Sequence, residues 1–305
     1  MILKMLNLII LLFVPFLMMG LIKKTKAFWA GRKGVSIFQP FYDFVKLIKK
    51  DFVISKTTSV VFNIAPLFAI ATVLFASMFV PLATGRALLV IPAGVIVFAY
   101  TLGLGKFMSL IAAMDTGSSF EGIGASREAC FTSIVEPAFF MLIASIMVLT
   151  GNYTFESLSH IVENAGSYGI LITVFAVVVL FIMMLVEGSR VPVDDPATHL
   201  ELTMIHEVMI LDNSGCDLAL YSWANGIKML LISSFIACIV IPHNLPMLLH
   251  VLCYLLVMGV ISVAIGTVES GMARIRMSHV FEFIFVMSSL SLVVMSLVMA
   301  RMFGG

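Results

Sequence analysis

Several charged side chains lie in or at the ends of long apolar segments, where a charge needs a physical reason. Three lie inside such segments and three at their ends: Lys106, Glu136 and Lys228 inside, and Glu187, Glu269 and Glu282 at the ends. A charge at the centre of a membrane span costs about 2.5–3.5 kcal/mol on insertion scales. The three at segment ends have a second explanation, because long side chains there can extend to the interface. The inner three indicate buried partners or a water-filled cavity.

The same residue types have the chemistry of a proton path. Carboxylates and ammonium groups in a low dielectric have pKa values that their neighbours move easily, and a proton path requires a row of them linked by water. We therefore predict a path that enters from the cytoplasmic side and has two lysines as internal partners. Its acids are Glu136, Glu187, Asp194, Glu201 and Glu269, and its lysines are Lys106 and Lys228.

The polar segment 187–215 joins two apolar segments and predicts a short amphipathic helix. Asp195 suits the N-cap and Pro196 the first turn. Apolar residues then recur at helical spacing on one face: Ala197, Leu200, Met204, Ile205, Val208 and Leu211. The opposite face and its flanks carry His199, Thr203, His206, Glu201 and Glu207. We expect this polar side to face a water-filled or partner-filled cavity.

The spacing of these histidines and acids does not match a metal site. His206 and Glu207 are not followed by the second histidine of an HExxH motif, and His199 lies about two turns from His206. No CxxC pair occurs among Cys130, Cys216, Cys238 and Cys253. We therefore predict no metal or redox cofactor in this chain and no catalytic nucleophile. We expect the histidines to lie at a subunit interface or to relay protons, titrating near neutral pH.

The composition indicates the class of protein. Of the 305 residues, 61% are hydrophobic and 11% are charged, which excludes a soluble domain and is typical of a polytopic membrane protein. We predict one all-α membrane domain over 1–305 with about eight spans, near 2–22, 60–82, 87–113, 130–150, 167–187, 219–241, 246–268 and 281–302. We expect amphipathic helices in the cytoplasmic loops, at 23–59, 114–129, 188–218 and 269–280. The first span precedes a lysine cluster and lacks a cleavage site, so we expect it to be retained.

The distribution of Lys and Arg predicts the orientation. The loops after the first, third, fifth and seventh spans hold 13 of these residues, and the other side holds three. By the positive-inside rule, the richer side is cytoplasmic and both termini are outside.

The first of these loops contains GRKGVSIFQPFYDFVKLIKKD, residues 31–51. Its aromatic and aliphatic residues are interleaved with lysines, which is typical of an amphipathic helix at a membrane surface. A solvated basic loop is the alternative.

Four ordered sets of residues lie in the four predicted cytoplasmic loops. They are Arg32, Gly34, Gln39, Pro40, Asp43, Lys46 and Leu47; DTGS at 115–118 and GASRE at 124–128, followed by Val135, Glu136 and Pro137; Glu187, Arg190, Pro192, Asp194, Pro196, Glu201 and Leu202, closed by Ser214 and Gly215; and Glu269 with MARIR at 272–276. Together they resemble the quinone-chamber subunit of respiratory complex I, the subunit 1 or H family, over nearly the whole chain. The second set is similar to the branch found in group 4 [NiFe] hydrogenases, such as formate hydrogenlyase and hydrogenase-4 complexes.

Departures from the quinone-type members favour the hydrogenase branch. Val193 stands where those members usually have Phe, and His199 stands where they usually have another acid. The run to Ser214 is also slightly longer than theirs.

The resemblance implies an accessory membrane-anchoring subunit in the cytoplasmic membrane of a prokaryote. Its expected partners are a [NiFe]-hydrogenase large subunit and a small iron–sulfur subunit on the cytoplasmic face, with antiporter-like membrane subunits at its sides. The iron–sulfur clusters and the [NiFe] centre are expected in those partners, and this chain couples the arm to ion translocation. The residues expected to dock partners are Arg32, Gln39, Pro40, Asp43, Arg127, Arg190, His199, His206, Glu207, Arg274 and Arg276. The alternatives are a quinone-chamber subunit of an NADH:quinone oxidoreductase and a stand-alone ion transporter.

Overall fold

The computed structural model describes residues 2–51, 53, 55, 57–92, 94–151, 153–161, 168–194, 204–242, 245–273 and 275–303. Within these ranges the regular elements are ten α-helices and one 3-10 helix. The α-helices are α1 (Ile2–Trp29), α2 (Gln39–Ile48), α3 (Val60–Ser77), α4 (Gly94–Asp115), α5 (Ser119–Thr150), α6 (Gly169–Glu187), α7 (His206–Met209), α8 (Cys216–Val240), α9 (Met247–Gly271) and α10 (Met277–Phe303), and the 3-10 helix is Phe155–His160. These ranges contain no strand, so the predicted all-α class is confirmed.

Eight of the helices in the described chain are long and apolar enough to cross a membrane: α1, α3, α4, α5, α6, α8, α9 and α10. This confirms the predicted number of spans and a multi-pass membrane protein. Some bounds differ from the prediction. α1 continues to Trp29, so the lysines of 23–26 extend the helix beyond its apolar part. α3 ends at Ser77 and α4 begins at Gly94, because the intervening stretch contains Pro81, Pro92 and Gly85 at a φ of 69°.

The largest difference concerns α5, which begins at Ser119 rather than near residue 130. The predicted loop 114–129 is reduced to 116–118, where Gly117 has a φ of 70° and turns the chain. The sequence assigns the following residues to a loop because they are polar, yet they form the first turns of a 32-residue helix. A helix of that length extends about 48 Å, so its first turns project beyond a bilayer core of about 30 Å.

The described residues of the segments that follow α1, α4, α6 and α9 lie on one side of the helices, and we name them the polar face (30–51, 53, 55, 57–59, 116–118, 188–194, 204–215, 272, 273, 275 and 276). Hydrogen bonds join these segments to one another. They run from Thr57 Oγ1 to Thr116 O at 3.3 Å, from Val53 N to Ser214 Oγ at 2.9 Å, and from Ile275 N to Pro192 O at 3.2 Å.

The helix predicted to begin at Asp195 falls mostly outside the described residues. That part, 195–203, includes Asp195, Pro196, His199, Glu201 and Thr203. The described remainder forms the single turn α7, which is capped by Asp194. Its Oδ2 atom accepts hydrogen bonds from the backbone N–H groups of Ile205 at 3.2 Å and His206 at 3.1 Å.

The predicted apolar face of this helix holds only in part. Ile205 and Val208 are buried, as predicted, whereas Leu211 is 53% exposed. The helical turn ends at Met209, so the spacing that would turn Leu211 inward is lost.

α2 is the amphipathic helix predicted in the first loop, and it excludes a loop over these residues. Its inner side packs on α1 and α8 through aromatic rings. Phe16 has ring centroids of Phe41 and Phe44 at 5.6 and 5.1 Å, and Phe44 lies 5.2 Å from Trp223. Tyr42 on the outer side is 59% exposed, so the helix presents one face to its surroundings.

α8 is the central helix of the fold. It packs against α1, α2, α3, α6, α9 and the 3-10 helix. In its most apolar window 72% of residues are buried, against 28% in α9 and in α10. Most side chains of α8 therefore point into the protein, whereas α9 and α10 present apolar side chains to lipid or to partners.

Candidate functional site

A buried ion cluster links α4, α5, α6 and α8. Lys106 Nζ lies 2.7 Å from Glu187 Oε1 and 3.2 Å from Glu128 Oε1, and it donates to Thr132 Oγ1 at 2.9 Å. Lys228 Nζ lies 3.3 Å from the other oxygen of Glu187. The four charged side chains are only 9–15% exposed. Each buried charge is thus compensated by an opposite one, and we name Lys106, Glu128, Glu187 and Lys228 the ion cluster.

Helical spacing brings these groups to one place. On α5, Glu128, Thr132 and Glu136 are four residues apart and share a face. On α8, polar residues recur at spacings of four and three: Tyr221, Asn225 and Lys228. The long helices therefore position the polar groups, although no local motif identifies them.

A cavity of about 100 Å³, measured as space open to the centre of a water-sized sphere, adjoins the ion cluster. A cavity of this size holds several water molecules. Its polar lining consists of Thr72, Lys106, Ser109, Glu128, Glu136, Glu187, His206, Tyr221, Asn225 and Lys228. Asn225 Oδ1 is buried without a hydrogen-bond partner among the described residues, so it can accept from such a water.

Glu136 is exposed and lies where the cavity meets a groove on the outer surface of α4 and α5. The groove also contains Tyr100, Leu104 and Phe107, which are 73%, 49% and 56% exposed. A carboxylate among such side chains is costly in contact with lipid. A partner that covers this groove would remove the carboxylate from contact with lipid.

His206 is half-buried and lines the cavity from α7. Burial lowers its pKa to about 4, and the nearby charge of Lys228 adds to this shift. The imidazole is therefore neutral at pH 7, because the desolvation of its charged form prevails. This corrects the expectation that it titrates near neutral pH. The pKa of the adjacent Glu207 is raised, first by burial and then by the carboxylate of Asp194.

Glu269 belongs to a second group of buried ion pairs, at the polar face. Its carboxylate lies 3.0 Å from Lys26 Nζ and 3.5 Å from Arg190 Nη1, and its side chain is 1% exposed. Glu282, by contrast, is 73% exposed and lies 3.0 Å from His279. Of the three glutamates at the ends of spans, Glu282 extends to the surface, whereas Glu187 and Glu269 are buried in ion pairs.

The structure brings together four of the seven residues predicted for the proton path. Those that line the cavity are Lys106, Glu136, Glu187 and Lys228. Asp194 and Glu269 are not among the lining residues; Asp194 binds the backbone at the start of α7, and Glu269 pairs with Lys26 of α1 and with Arg190. Glu201 lies outside the described residues.

The described residues predicted to dock partners lie on the polar face, except Arg127 on α5, and they differ in depth. Arg32 and Arg276 are exposed, whereas Pro40 is buried. Gln39 Nε2 donates to Asp43 Oδ1 at 2.8 Å, and Arg127 Nη1 donates to Met204 O at 3.3 Å. Arg190, His206 and Glu207 have the contacts described above, and His199 and Arg274 lie outside the described residues.

Two charged residues of these groups were not predicted. Glu128 falls in the loop that the sequence places before residue 130, and Lys26 falls beyond the predicted end of the first span. The four-residue spacing from Glu128 through Thr132 to Glu136 is a signal that identifies Glu128 only once α5 is known to begin at Ser119.

The arrangement can hold and pass protons. Titratable groups and hydroxyls surround a space large enough for water, and Lys106 is within reach of two carboxylates. The part of the chain that the structure describes has no group of three His, Cys, Asp or Glu side chains that could hold a metal ion. The four cysteines are free thiols.

These features define a multi-pass membrane protein with a charge cluster beside an internal cavity. The family described as NADH dehydrogenase matches residues 3–300, and the chain belongs to this family. The predicted resemblance to complex I subunit 1 is thereby confirmed.

Relatives in this family include components of hydrogenases and of respiratory enzymes. Hydrogenase-4 component C of Escherichia coli (strain K12) is 30% identical over 250 residues, which cover 81% of this chain and 77% of that protein. Formate hydrogenlyase subunit 4 of the same strain is 25% identical over 281 residues, covering 88% and 89%. NADH-ubiquinone oxidoreductase chain 1 of Sarcophilus harrisii is 30% identical over 193 residues, covering 61% and 59%. The names describe components of multi-subunit complexes.

A solved structure has the same fold. A chain in the structure of the membrane-bound sulfane sulfur reductase (MBS), an archaeal respiratory membrane complex, is similar with a TM-score of 0.79 at 20% identity. The likeness covers 96% of this chain and 97% of that one.

Proposed function

We propose that this chain is the membrane-anchoring and proton-path subunit of a membrane-bound [NiFe] hydrogenase complex of the formate hydrogenlyase or hydrogenase-4 kind. It docks the hydrophilic electron-transfer arm and couples that arm to ion translocation. The redox centres, iron–sulfur clusters and a [NiFe] site, belong to the partner subunits. The two relatives named for hydrogenase complexes support this branch of the family.

The observation that carries the proposal is the ion cluster beside the cavity. Lys106 reaches both Glu187 and Glu128, so a change in the local field can shift it from one carboxylate towards the other. A unit charge about 10 Å away acts with about 2 kcal/mol at an effective dielectric near 20, and the difference in this energy between the two positions of the lysine biases their ratio. An arm that gains or loses an electron near the polar face therefore biases the cluster.

The segment 188–215 provides the connection between arm and cluster. Its described residues, 188–194 and 204–215, lie on the polar face, and two of their side chains, His206 and Met209, line the cavity. Arg127 of α5 donates to the backbone of this segment at Met204. A partner bound to the segment thus acts on the wall of the cavity.

The proposal includes an orientation and partners. Thirteen of the 18 Lys and Arg residues belong to the segments of the polar face or to the adjoining helix ends, which supports a cytoplasmic polar face and outside termini in the inner membrane of a prokaryote. The hydrogenase large subunit and the small iron–sulfur subunit dock on this face, where Arg32 and Arg276 are exposed. Antiporter-like membrane subunits cover the groove at Glu136, because its carboxylate would otherwise face lipid.

The test uses the purified complex in sealed vesicles and measures hydrogen turnover and proton movement together. Glu136→Gln keeps the shape of the side chain and removes its charge. We expect turnover to continue while proton translocation falls to the background leak. Glu282→Gln, at an exposed glutamate of α10, is the matched control and leaves both unchanged. Unaltered proton coupling in E136Q would count against the proposed path.

The same preparation separates the alternatives. Purification in mild detergent should retain the hydrogenase subunits; a chain that purifies alone and moves ions in liposomes is a transporter. Quinone-dependent turnover would identify a quinone-chamber subunit, the second candidate, which the relative named NADH-ubiquinone oxidoreductase chain 1 supports. The hydrogen bond from Val53 to Ser214 joins the two loops between which a headgroup would bind.

A further inference from the structure

Glu121, in the first turn of α5, is a buried carboxyl group outside the ion cluster. The residue is 0% exposed. Its Oε1 atom accepts a hydrogen bond from the backbone N–H of Asp212 at 3.0 Å. Its Oε2 atom is buried and accepts no hydrogen bond within the described chain, because the neighbouring Thr116 hydroxyl donates to Ala113 O at 2.8 Å instead. Buried polar atoms are almost always paired, so this atom requires an explanation.

A second acceptor without a partner lies next to this contact in the chain. Asn213 is 7% exposed, and its Oδ1 atom is buried with no partner among the residues described. Asn213 directly follows Asp212, whose N–H binds Glu121. Glu121 and the residue that follows its hydrogen-bond donor thus each have a buried acceptor without a partner among the described residues.

The charges around Glu121 do not compensate an anion. The other two buried glutamates, Glu187 and Glu269, each contact two basic side chains. The ion pairs found within the described ranges include none with Glu121. The N-terminus of α5 contributes only a partial positive charge. An ionised Glu121 would thus be buried almost uncompensated, which is strongly unfavourable.

The titratable groups on neighbouring elements do not change this balance. They are Asp115 at the end of α4, Arg127 on α5, His206 and Glu207 on α7, and Asp212 itself. Asp115 Oδ2 accepts from the backbone N–H of Ser59 at 2.6 Å, His206 is neutral, and Arg127 donates to Met204 O. The remaining two groups are carboxyls, which add no positive charge.

We propose that Glu121 binds a proton taken from water at the polar face and is a neutral carboxylic acid in this structure. The proton converts Oε2 from an acceptor into a donor, and Asn213, the residue after Asp212, has a buried acceptor without a partner among the described residues. No other bond changes. A proton fits better than a metal ion, because the Asp212 N–H that points at the same carboxyl group is a donor and repels a cation.

The role of this site rests on the proposed function. Asp212 belongs to the segment 188–215, which packs closely on α5: a Cβ atom at Gly124 would lie 2.9 Å from Ile205 O. A partner that moves the segment withdraws the Asp212 N–H and admits water. Glu121 then ionises and releases its proton at the polar face.

Infrared spectroscopy of the purified complex tests the proton without hydrogen turnover, so its outcome is independent of the proposed function. At neutral pH the wild type should show the C=O stretch of a protonated carboxyl group that shifts in D₂O. Glu121→Gln should remove this band, and Glu282→Gln, at an exposed glutamate, should leave it. Identical carboxylic-acid bands in wild type and E121Q would mean that Glu121 is ionised and would overturn the proposal.

Thermal unfolding is the second measurement. An amide reproduces the shape, donor and acceptor of a neutral acid, so E121Q should unfold at the wild-type temperature, whereas Glu187→Gln, which removes a charge between two lysines, should unfold earlier. Failure of E121Q to fold would contradict a neutral Glu121. A rise in unfolding temperature with NaCl over choline chloride at equal ionic strength, present in wild type and absent in E121Q, would show a Na⁺ site in place of the proton.

Discussion

Lys106 and Glu187 are 81 residues apart in the chain, yet Lys106 Nζ lies 2.7 Å from Glu187 Oε1 in the interior of the helix bundle. The contact ties α4 to α6, and the second oxygen of Glu187 extends the tie to α8 through Lys228. Each of the two side chains has one further partner of opposite charge, Glu128 for Lys106 and Lys228 for Glu187. The pair therefore contributes to the packing of the spans as well as to the charge relay.

Removal of the Glu187 charge should destabilise the fold. Glu187→Gln leaves Lys106 with Glu128 alone and Lys228 without its carboxylate. Breaking a buried pair in this way costs about 3–5 kcal/mol. Denaturant unfolding in detergent measures the loss, and Glu282→Gln, at the surface, should stay within about 0.5 kcal/mol of wild type. Equal effects of the two substitutions would show that the cluster contributes little.

Asp194→Ala should loosen the segment 188–215. It removes the acceptor of the Ile205 and His206 N–H groups, and loss of such a cap costs about 1–2 kcal/mol. Asp194→Asn retains one acceptor oxygen and should have a smaller effect. Limited proteolysis measures the opening of the segment, and equal cleavage rates in wild type and D194A would contradict the capping role.

Gly215→Ala should disrupt the contact between the first and third loops of the polar face. Gly215 has a φ of 54°, and a Cβ atom there would lie 2.7 Å from Asp51 O. Strain of this kind costs about 1–3 kcal/mol. Gly259→Ala is the control, because Gly259 lies inside α9 with no atom within 4 Å of the added Cβ, and this change should be neutral or mildly stabilising. Unfolding of both variants under one condition gives the comparison, and similar behaviour would argue against the close approach.

The neutral state of His206 predicts an acid-sensitive fold. Its pKa is about 4 in the folded protein, below the ordinary value near 6.5, so the unfolded chain binds the proton more tightly. The contribution is complete above pH 6.5 and is lost as the pH falls towards 4, with a loss of about 2 kcal/mol by pH 5. Thermal unfolding at pH 7 and pH 5 should show a smaller acid effect in His206→Gln than in wild type. His279→Gln, at an exposed histidine, should behave like wild type; a His206 variant that loses as much stability would assign the acid effect to another group.

The spans were predictable and the cluster was predictable in part, for different physical reasons. A long apolar run has few alternatives to a membrane helix, so eight spans followed from composition and length. The polar residues around Glu128 resemble a loop, and their helix depends on tertiary contacts such as Ala125 with Ala113 and Met209. The pairing of Lys106 with Glu187 has no signal in either segment alone.

The residue that caps α7 was likewise not predictable from the sequence alone. Asp194 and Asp195 are adjacent and equally suited to cap a helix, so residue preference alone does not choose between them. In the described part of the segment, Asp194 accepts hydrogen bonds from two backbone N–H groups of a turn that begins eleven residues later. Only the path of the chain brings that turn to this carboxylate.

The length of α5 has a mechanical consequence. Fifteen positions separate Glu121 from Glu136 on this one helix, a rise of about 22 Å. A continuous helix tilts as one body, so a movement at one end reaches the other end without rearrangement of the contacts between them. Pressure on its polar-face end would therefore tilt the turns from Glu121 to Glu136, which end just before Pro137, as one body about their packing against α10.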